Sequence, residues 1–434
     1  MKTLLNDKPA SGMPARRQRP RLPRVLRSFL LHRRFALLWT GQTVSSFGSH
    51  ITGIGLPVAA LLLLHATPTQ IGLLAALSAL PGLCMGLFIG VWVDRLPRRP
   101  ILLTADIARA LLLAVIPLIT VLGLLHFAWL AVIAVLTGLF TVGFEVASLS
   151  FLPALLQPEE LLTGNSRLAT SSSLAEIAGP PLAGLLIQML TAPVAILLDA
   201  LSFLFSALCV GLIRLPGRPG EVPSVQPIER AHFGREMRAG LNYVLKDPLL
   251  RALAAYTCTQ NFFGGTFAAL YLVYTFQLFG ASPLAYSLLV ACGGLGALAG
   301  SFGATWCARR FGTGRVLIGS ALLFGTLAFC TPLAAGPALV AFSLLALSQL
   351  VADAGFSVYS IGEISLRQQL IPHHLLGRVN ACMHILSTGV LPLGALLAGL
   401  LSELVGVRLT LLVGSAGLFL AAIWLLFSPL RRLR

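Results

Sequence analysis

Apolar residues in this chain run in long blocks separated by short polar breaks. A helix needs roughly 20 residues, rising 1.5 Å each, to cross a hydrocarbon core of about 30 Å. Windows of that kind lie at about 36–63, 70–93, 101–123, 128–152, 168–190, 194–214, 252–278, 284–307, 315–335, 338–365, 380–401 and 409–428. They predict an all-α integral membrane fold of twelve spanning helices, counted here as helices one to twelve.

The breaks differ in charge. Those near 94, 153, 215, 308, 366 and 429 hold Arg95, Arg98, Arg99, Arg167, Arg218, Arg235, Arg309, Arg310, Arg315, Arg367, Arg378 and Arg431, whereas those near 65, 124, 191, 280, 336 and 403 hold just Arg408. By the positive-inside rule the Arg-rich breaks face the cytoplasm, as do both termini. Residues 215–250 form a long polar stretch with Pro216, Pro219, Pro223 and Pro227. The expected order is a basic tail (1–34), a six-helix bundle (35–214), a linker (215–250), a second bundle (251–428) and a basic tail (429–434). Within the linker, Phe233, Met237, Leu241 and Val244 recur at helical spacing, so Glu229 to Leu245 reads as a surface amphipathic helix.

The two bundles repeat one another. The segment from Ser282, SPLAYSLLVACGGLGALAGSFGATWCARRFGTGRVLI, follows the layout of that from Thr67, TPTQIGLLAALSALPGLCMGLFIGVWVDRLPRRPILL, at an offset of 215 that aligns Pro68 with Pro283 and Arg95 with Arg310. Gln157 to Ala169 likewise echoes Ile371 to Met383. Paired repeats with a site between them are a transporter architecture.

Composition agrees with this picture. The chain is 56% hydrophobic and 11% charged with mean hydropathy +0.87, against about 45–50% and about 25% in a soluble domain, which excludes a soluble enzyme. The net charge of +16 sits in the gaps between apolar runs and reads as a topology signal, not as a nucleic-acid surface. The seven Cys are scattered, with no CxxC pair and no His/Cys cluster at metal-ligand spacing. No metal or cofactor is expected. Neither a phosphate-binding G-x-x-x-x-G-K-[ST] loop nor a hydrolase motif is present, so work must come from an ion gradient or from the solute's own gradient.

After helix two the chain reads Gly90, Val91, Trp92, Val93, Asp94, Arg95, Leu96, Pro97, Arg98, Arg99. This resembles the G-x-x-x-D-R-x-x-R-[RK] loop of the major facilitator superfamily. The resemblance implies a gate in which Asp94 meets a helix N-terminus or Arg95 and latches the cytoplasmic side; the plain alternative is a positive-inside loop. Arg309 stands at the corresponding place of the second half, so one latch is expected. In helix five, Ala175 to Gly184 resembles the G-x-x-x-G-P-x-x-G-G element of facilitator antiporters, with Gly179, Pro180 and Gly184 kept and Ala175 and Ala183 replacing two glycines. A Pro-kinked packing helix is the simpler reading of the same residues.

Three longer stretches, Gly143 to Asn165, Leu197 to Ala207 and Ile364 to Gly399, look like the facilitator subfamily of macrolide, tetracycline-like and siderophore exporters, the transmembrane secretion effectors, and the likeness runs from about Arg33 to the end. His384 stands where that family tends to carry Arg, and helix four lacks the Arg of many drug/proton antiporters. The resemblance implies a proton-coupled exporter of a drug-like or secondary-metabolite solute in a bacterial inner membrane, working as a monomer by alternating access. The alternatives are a siderophore exporter or lysophospholipid transporter or, in other classes, an integral-membrane enzyme or a non-transporting sensor.

Charges inside apolar spans cost several kcal/mol unless paired or lining water, so each is a site candidate. Asp106 and Arg109 are i, i+3 on helix three; Arg109 lies about 12 Å into the membrane, and Glu145 on helix four is at similar depth. These three read either as a structural charge cluster or as a proton-coupling network, with Glu145 the coupling candidate. Glu176, Asp199 and Asp353 are also embedded: Asp199, followed by Ser202, suggests a local structural role, and Asp353, with no base on its own helix, suggests coupling or cation recognition. Glu363 and Arg367, at i, i+4, suggest an inner gate. Gln42, Ser45, Ser46 and Ser49 on helix one, and Gln260, Phe267, Tyr271 and Tyr274 on helix seven, recur on one side and suggest a cavity lining for a bulky, partly apolar solute. Interhelical packing is the alternative for the same stripe.

Overall fold

A computed structural model describes residues 33–93, 97–213, 233–280 and 282–432. Lipid offers no partner to a free backbone N–H or C=O, so long apolar segments satisfy these groups internally as helices. The membrane helices are α1 (Arg33–Leu63), α2 (Pro68–Val93), α3 (Arg98–Val121), α4 (Phe127–Phe151), α5 (Leu161–Leu190) and α6 (Ala192–Leu212), then α7 (Pro248–Leu278), α8 (Pro283–Phe311), α9 (Thr313–Ala328, with a short extension Cys330–Leu333), α10 (Ala338–Leu370), α11 (His373–Val405) and α12 (Val407–Leu426). All twelve predicted windows are helical. Ten of the described helices are long and apolar enough to cross a membrane by composition alone; α7, with its polar run Thr257 to Asn261, is not among them.

Several helices extend past their apolar windows. α5 begins at Leu161 and not near 168, behind a short 3-10 turn with a Gln157–Glu160 capping box; α10 runs to Leu370 and α11 starts at His373. Backbone hydrogen bonding continues after the side chains turn polar, so hydropathy reports the lipid-facing part of a helix and not its end.

The repeat holds in three dimensions. Arg33 and Pro248, Pro68 and Pro283, Arg98 and Thr313, and Ala192 and Val407 open four equivalent pairs of helices, each pair 215 residues apart. α1 packs on α5 and α6, α2 on α4, and α3 on α4 and α6; correspondingly α7 packs on α11 and α12, α8 on α10, and α9 on α10 and α12. Between α5 and α6 the chain turns through Thr191 (φ 83°), and its equivalent 215 residues on, between α11 and α12, is Gly406 (φ 87°). Only glycine adopts that backbone without strain.

One face of the bundle, where odd-numbered helices begin, carries Arg98, Arg99, Arg167, Arg309, Arg310, Arg315 and Arg367 and is called the basic face; the opposite end is the far face. The halves meet where α2 crosses α11 and where α5 crosses α8. At the far face the first crossing is backbone on backbone: a Cβ on Gly72 would stand 2.5 Å from the Ala395 carbonyl oxygen, and one on Gly399 would stand 2.9 Å from that of Pro68. The linker helix (Phe233–Lys246) packs on α11, with Val244 fully buried. It is thus docked on the bundle at the basic face. Large apolar side chains such as Leu118, Leu149, Phe302 and Leu404 remain exposed around the outside, as a lipid-facing surface requires.

Candidate functional site

The main polar site lies in the first half and is built on α3. Asp106 and Arg109 project one turn apart from its buried face and form an ion pair, with side chains 0% and 4% exposed. The Arg109 guanidinium lies over the Phe203 ring of α6, 4.1 Å from its centroid, and over the Phe144 ring of α4 at 4.6 Å. Aromatic faces attract a desolvated cation, and guanidinium stacks on them readily. Nη1 approaches the Thr141 hydroxyl at 3.5 Å. Arg109 also feels Asp199 and Glu145 electrostatically. The Ser206 hydroxyl of α6 lies against the Asp106 carboxylate as well.

Asp199, read from sequence as a local structural residue, belongs to this site. It is fully buried on α6, where the Thr52 hydroxyl from α1 donates to Oδ2 and the Ser202 hydroxyl donates to Oδ1 at 2.9 Å. Gly48 of α1 makes the room: a Cβ there would overlap the Asp199 carboxylate and the Ser202 hydroxyl. Asp199 and Glu145 both line a cavity of about 520 Å³ enclosed mainly by α1, α2, α4 and α6, which also reaches Leu272 of α7 and Tyr286 of α8. Three carboxylates therefore surround one guanidinium.

Two acids of the second half, Asp353 and Glu363, are half-buried or buried within its spans. Asp353 accepts from Gln349 Nε2 at 2.8 Å and fills a notch left by Gly293 of α8. Tyr271 of α7 stands in its field, with a ring centroid 5.9 Å from that of Tyr286. Glu363 and Arg367 form an ion pair of 2.7 Å, 8% and 15% exposed. They line a cavity of about 340 Å³ toward the basic face, together with Thr257, Asn380, His384 and Ser387.

The remaining sequence candidates are dispersed. Gln42 donates to Ser148 across the α1–α4 contact, and Ser49 lines the larger cavity. Ser46 is half-buried; Gln260 is buried and accepts from Asn261 Nδ2 at 3.4 Å. Tyr274 is buried and donates to the Ala334 carbonyl at 3.0 Å, tying α7 to the loop after α9. Spacing along a helix gives a side chain's face and not its depth, and the far-face end of that stripe lies in packed protein. Glu176 is exposed and lies in the field of His50, whose ring packs on Gly179 where a Cβ would come within 2.8 Å. Gly184 lies against Ser287 and the Pro283 carbonyl of α8. Gly90 is in α2, while Asp94 and Arg95 lie outside the described residues. Arg99 donates to the carbonyls of Val210 and Gly211, capping the C-terminus of α6; Arg98 opens α3. Thr52, His50 and Tyr286 were not singled out from sequence. Their partners lie on other helices, so single-helix spacing carries no signal for them.

The family described as Major Facilitator Superfamily matches residues 38–278. The chain is 24% identical over 416 residues to macrolide efflux protein A of Streptococcus pyogenes, covering 92% of this chain and 97% of that protein. It is 28% identical over 414 residues to multidrug efflux pump Tap of Mycolicibacterium fortuitum, covering 91% and 94%. Among solved structures it resembles the nucleoside transporter NupG with a TM-score of 0.75 at 11% identity, covering 91% of this chain and 98% of that chain. It also resembles a bacterial homologue of the iron transporter ferroportin in the inward-facing state, with a TM-score of 0.70 at 19% identity and coverage of 92% and 98%. These structural likenesses show the fold.

Proposed function

The chain belongs to the major facilitator superfamily, and within it we propose that the protein is a proton-coupled exporter of drug-like or secondary-metabolite solutes. The observation that carries this reading is the site on α3: one guanidinium among three carboxylates, two of which line a cavity large enough for an organic solute. The efflux relatives support the direction of transport. By the positive-inside rule the basic face is cytoplasmic, which puts both termini inside a bacterial inner membrane, and the protein works as a monomer.

The halves seal the far face through α2 with α11 and α5 with α8, so solute enters from the basic face. Protonation of Glu145 or Asp199 from the outside removes negative charge around Arg109, and deprotonation toward the cytoplasm restores it. Each change alters the relative stability of the two orientations of the halves. The electrical part of the gradient supplies about 2.3 kcal/mol per charge per 100 mV. Glu363 with Arg367 serves as the inner gate, and Asp94 with Arg95 as the latch of the loop after α2.

Everted vesicles energised with a proton gradient test this reading on a panel of macrolides, tetracyclines, dyes, siderophores and lysolipids. Solute-induced collapse of the gradient is expected for at least one drug-like compound and is lost in Glu145→Gln. Full proton-driven accumulation in that mutant would remove Glu145 from the coupling site. A response restricted to siderophores or lysolipids would replace the drug-like substrate class, and silence across the panel with inserted protein would overturn export.

A further inference from the structure

The two cavities sort hydrogen-bonding chemistry by sign. The smaller one, toward the basic face, is lined by Arg367, Gln368, Asn380 and His384, whose side chains carry N–H donors. The larger one, in the first half, has no Lys, Arg, His, Asn, Gln or Trp among its described lining residues. Its acidic members, Glu145 and Asp199, only accept hydrogen bonds when ionised.

The hydroxyls around the larger cavity add to the same side of the account. Ser49, Ser78 and Thr141 donate to the backbone carbonyls of Ser45, Leu74 and Thr137 at 2.9, 2.8 and 2.9 Å, and Thr52 donates to Asp199. Each proton is thus engaged within the protein. What these oxygens keep for the cavity is lone pairs, one of which at Thr141 faces Arg109. The backbone supplies a further acceptor. Pro57, inside α1, has no N–H to give to the carbonyl of Gly53, four residues back. Both residues line the cavity, and a Cβ on Gly53 would meet no other atom within 4 Å. The donors left over among the described lining residues are the hydroxyls of Thr137 and Tyr286.

Acceptors therefore surround the cavity from four helices, α1, α2, α4 and α6, between apolar walls such as Leu74, Phe203 and Leu272. A single ammonium group satisfies acceptors around one point. Several O–H groups spread over an apolar frame satisfy acceptors on all four helices at once, and a desolvated acceptor left unpaired costs free energy. We propose that this cavity recognises its solute through donated hydrogen, so that the transported class is polyhydroxylated amphipathic molecules and a positive charge is neither needed nor sufficient. This rests on the exporter reading above and names what its substrate must carry.

The test measures binding to the purified full chain in lipid nanodiscs, free of sugar-headed detergent, by equilibrium dialysis at fixed pH. The probes are erythromycin, the same macrolide with one hydroxyl masked as a methyl ether (clarithromycin), and the corresponding di-O-methyl ether; charge is constant along this series. Tetraphenylphosphonium is a cation of comparable lipophilicity with no donor. Each masked hydroxyl is expected to weaken binding about threefold to tenfold, and tetraphenylphosphonium should bind at least tenfold more weakly than erythromycin. Ser78→Ala removes one acceptor and should weaken erythromycin severalfold while the diether changes by less than twofold; Ser49→Ala makes the same comparison on α1. Binding of all three macrolides within twofold of one another, or tetraphenylphosphonium held as tightly as erythromycin, overturns the proposal. Export by vesicles of a solute without O–H or N–H while erythromycin stays unbound defeats donor recognition and leaves the exporter reading standing. Silence across the vesicle panel, with the expected order of binding in nanodiscs, defeats export and leaves donor recognition standing.

Discussion

The two halves of the molecule share one packing plan and fill it with opposite chemistry. At the offset of 215, Asp106 and Arg109 of α3 correspond to Ala321 and Phe324 of α9, and Asp199 and Ser202 of α6 to Gly414 and Gly417 of α12. Gly48 of α1 corresponds to Phe263 of α7. In the first half Gly48 receives the Asp199 carboxylate and Ser202; in the second the direction is reversed, and Gly417 receives the Phe263 ring. Where Arg109 is sandwiched by two aromatic rings, Phe324 packs on Phe356 with centroids 5.5 Å apart. The second half shows that this arrangement of helices needs only a knob and a notch at each crossing. The buried charges of the first half have no counterpart at these positions of the second, and burying them is costly, which is the ground for proposing them as the coupling site.

The comparison can be broken most severely at Arg109. Arg109→Ala leaves Asp106 buried and unpaired and is expected to cost about 3–5 kcal/mol, seen as a large fall in thermal midpoint in detergent together with lost flux. Phe324→Ala, its counterpart, should cost less and leave proton dependence intact. If both variants lose coupling equally, the contrast between halves is empty. Next come the two notches. Gly48→Ala drives a methyl into the acid network, and vesicle flux should fall at least tenfold. Gly417→Ala drives one into a ring, and the expected effect is about 1–3 kcal/mol of overpacking with coupling retained. Asp94→Asn should slow transport with insertion and folding unchanged, since the second half has Arg309 there and no latch; unchanged flux would remove the latch. The smallest effect sharpens the comparison of turns. Thr191→Gly gives the first half the residue that the second already uses at Gly406, and relief of backbone strain should raise stability by about 1 kcal/mol, read as a higher thermal midpoint.

Much of this was legible along the chain because membrane helices are built from local information. Length and hydropathy locate α1 to α12, and the repeat is visible as Pro68 with Pro283 before any coordinates. The Asp106–Arg109 and Glu363–Arg367 pairs follow from i, i+3 and i, i+4 spacing, which places two side chains on one helix face. What was not legible depends on neighbours. Asp199 looks local from its own helix because its nearest same-helix partner, Ser202, does hydrogen-bond to it; that Thr52 and the field of Arg109 also reach it depends on how α1 and α3 pack against α6. Tyr274 shares a stripe with Tyr271, and its hydrogen bond to the loop after α9 depends on the path of that loop, which the stripe does not report.

The bare-backbone crossing of α2 and α11 has a mechanical consequence. A pivot at this crossing gives α2 an arm from Gly72 to Val93 about 32 Å long at 1.5 Å per residue, with Leu83 against Gly389 part of the way along it. A tilt of about 10° at such a fulcrum swings the basic-face tip of the arm by about 6 Å, while the pivot itself barely moves. Leverage of this kind would turn a small rearrangement near the crossing into a large displacement at the other surface. A single methyl placed on Gly72 or Gly399 would act as a wedge under the hinge pin.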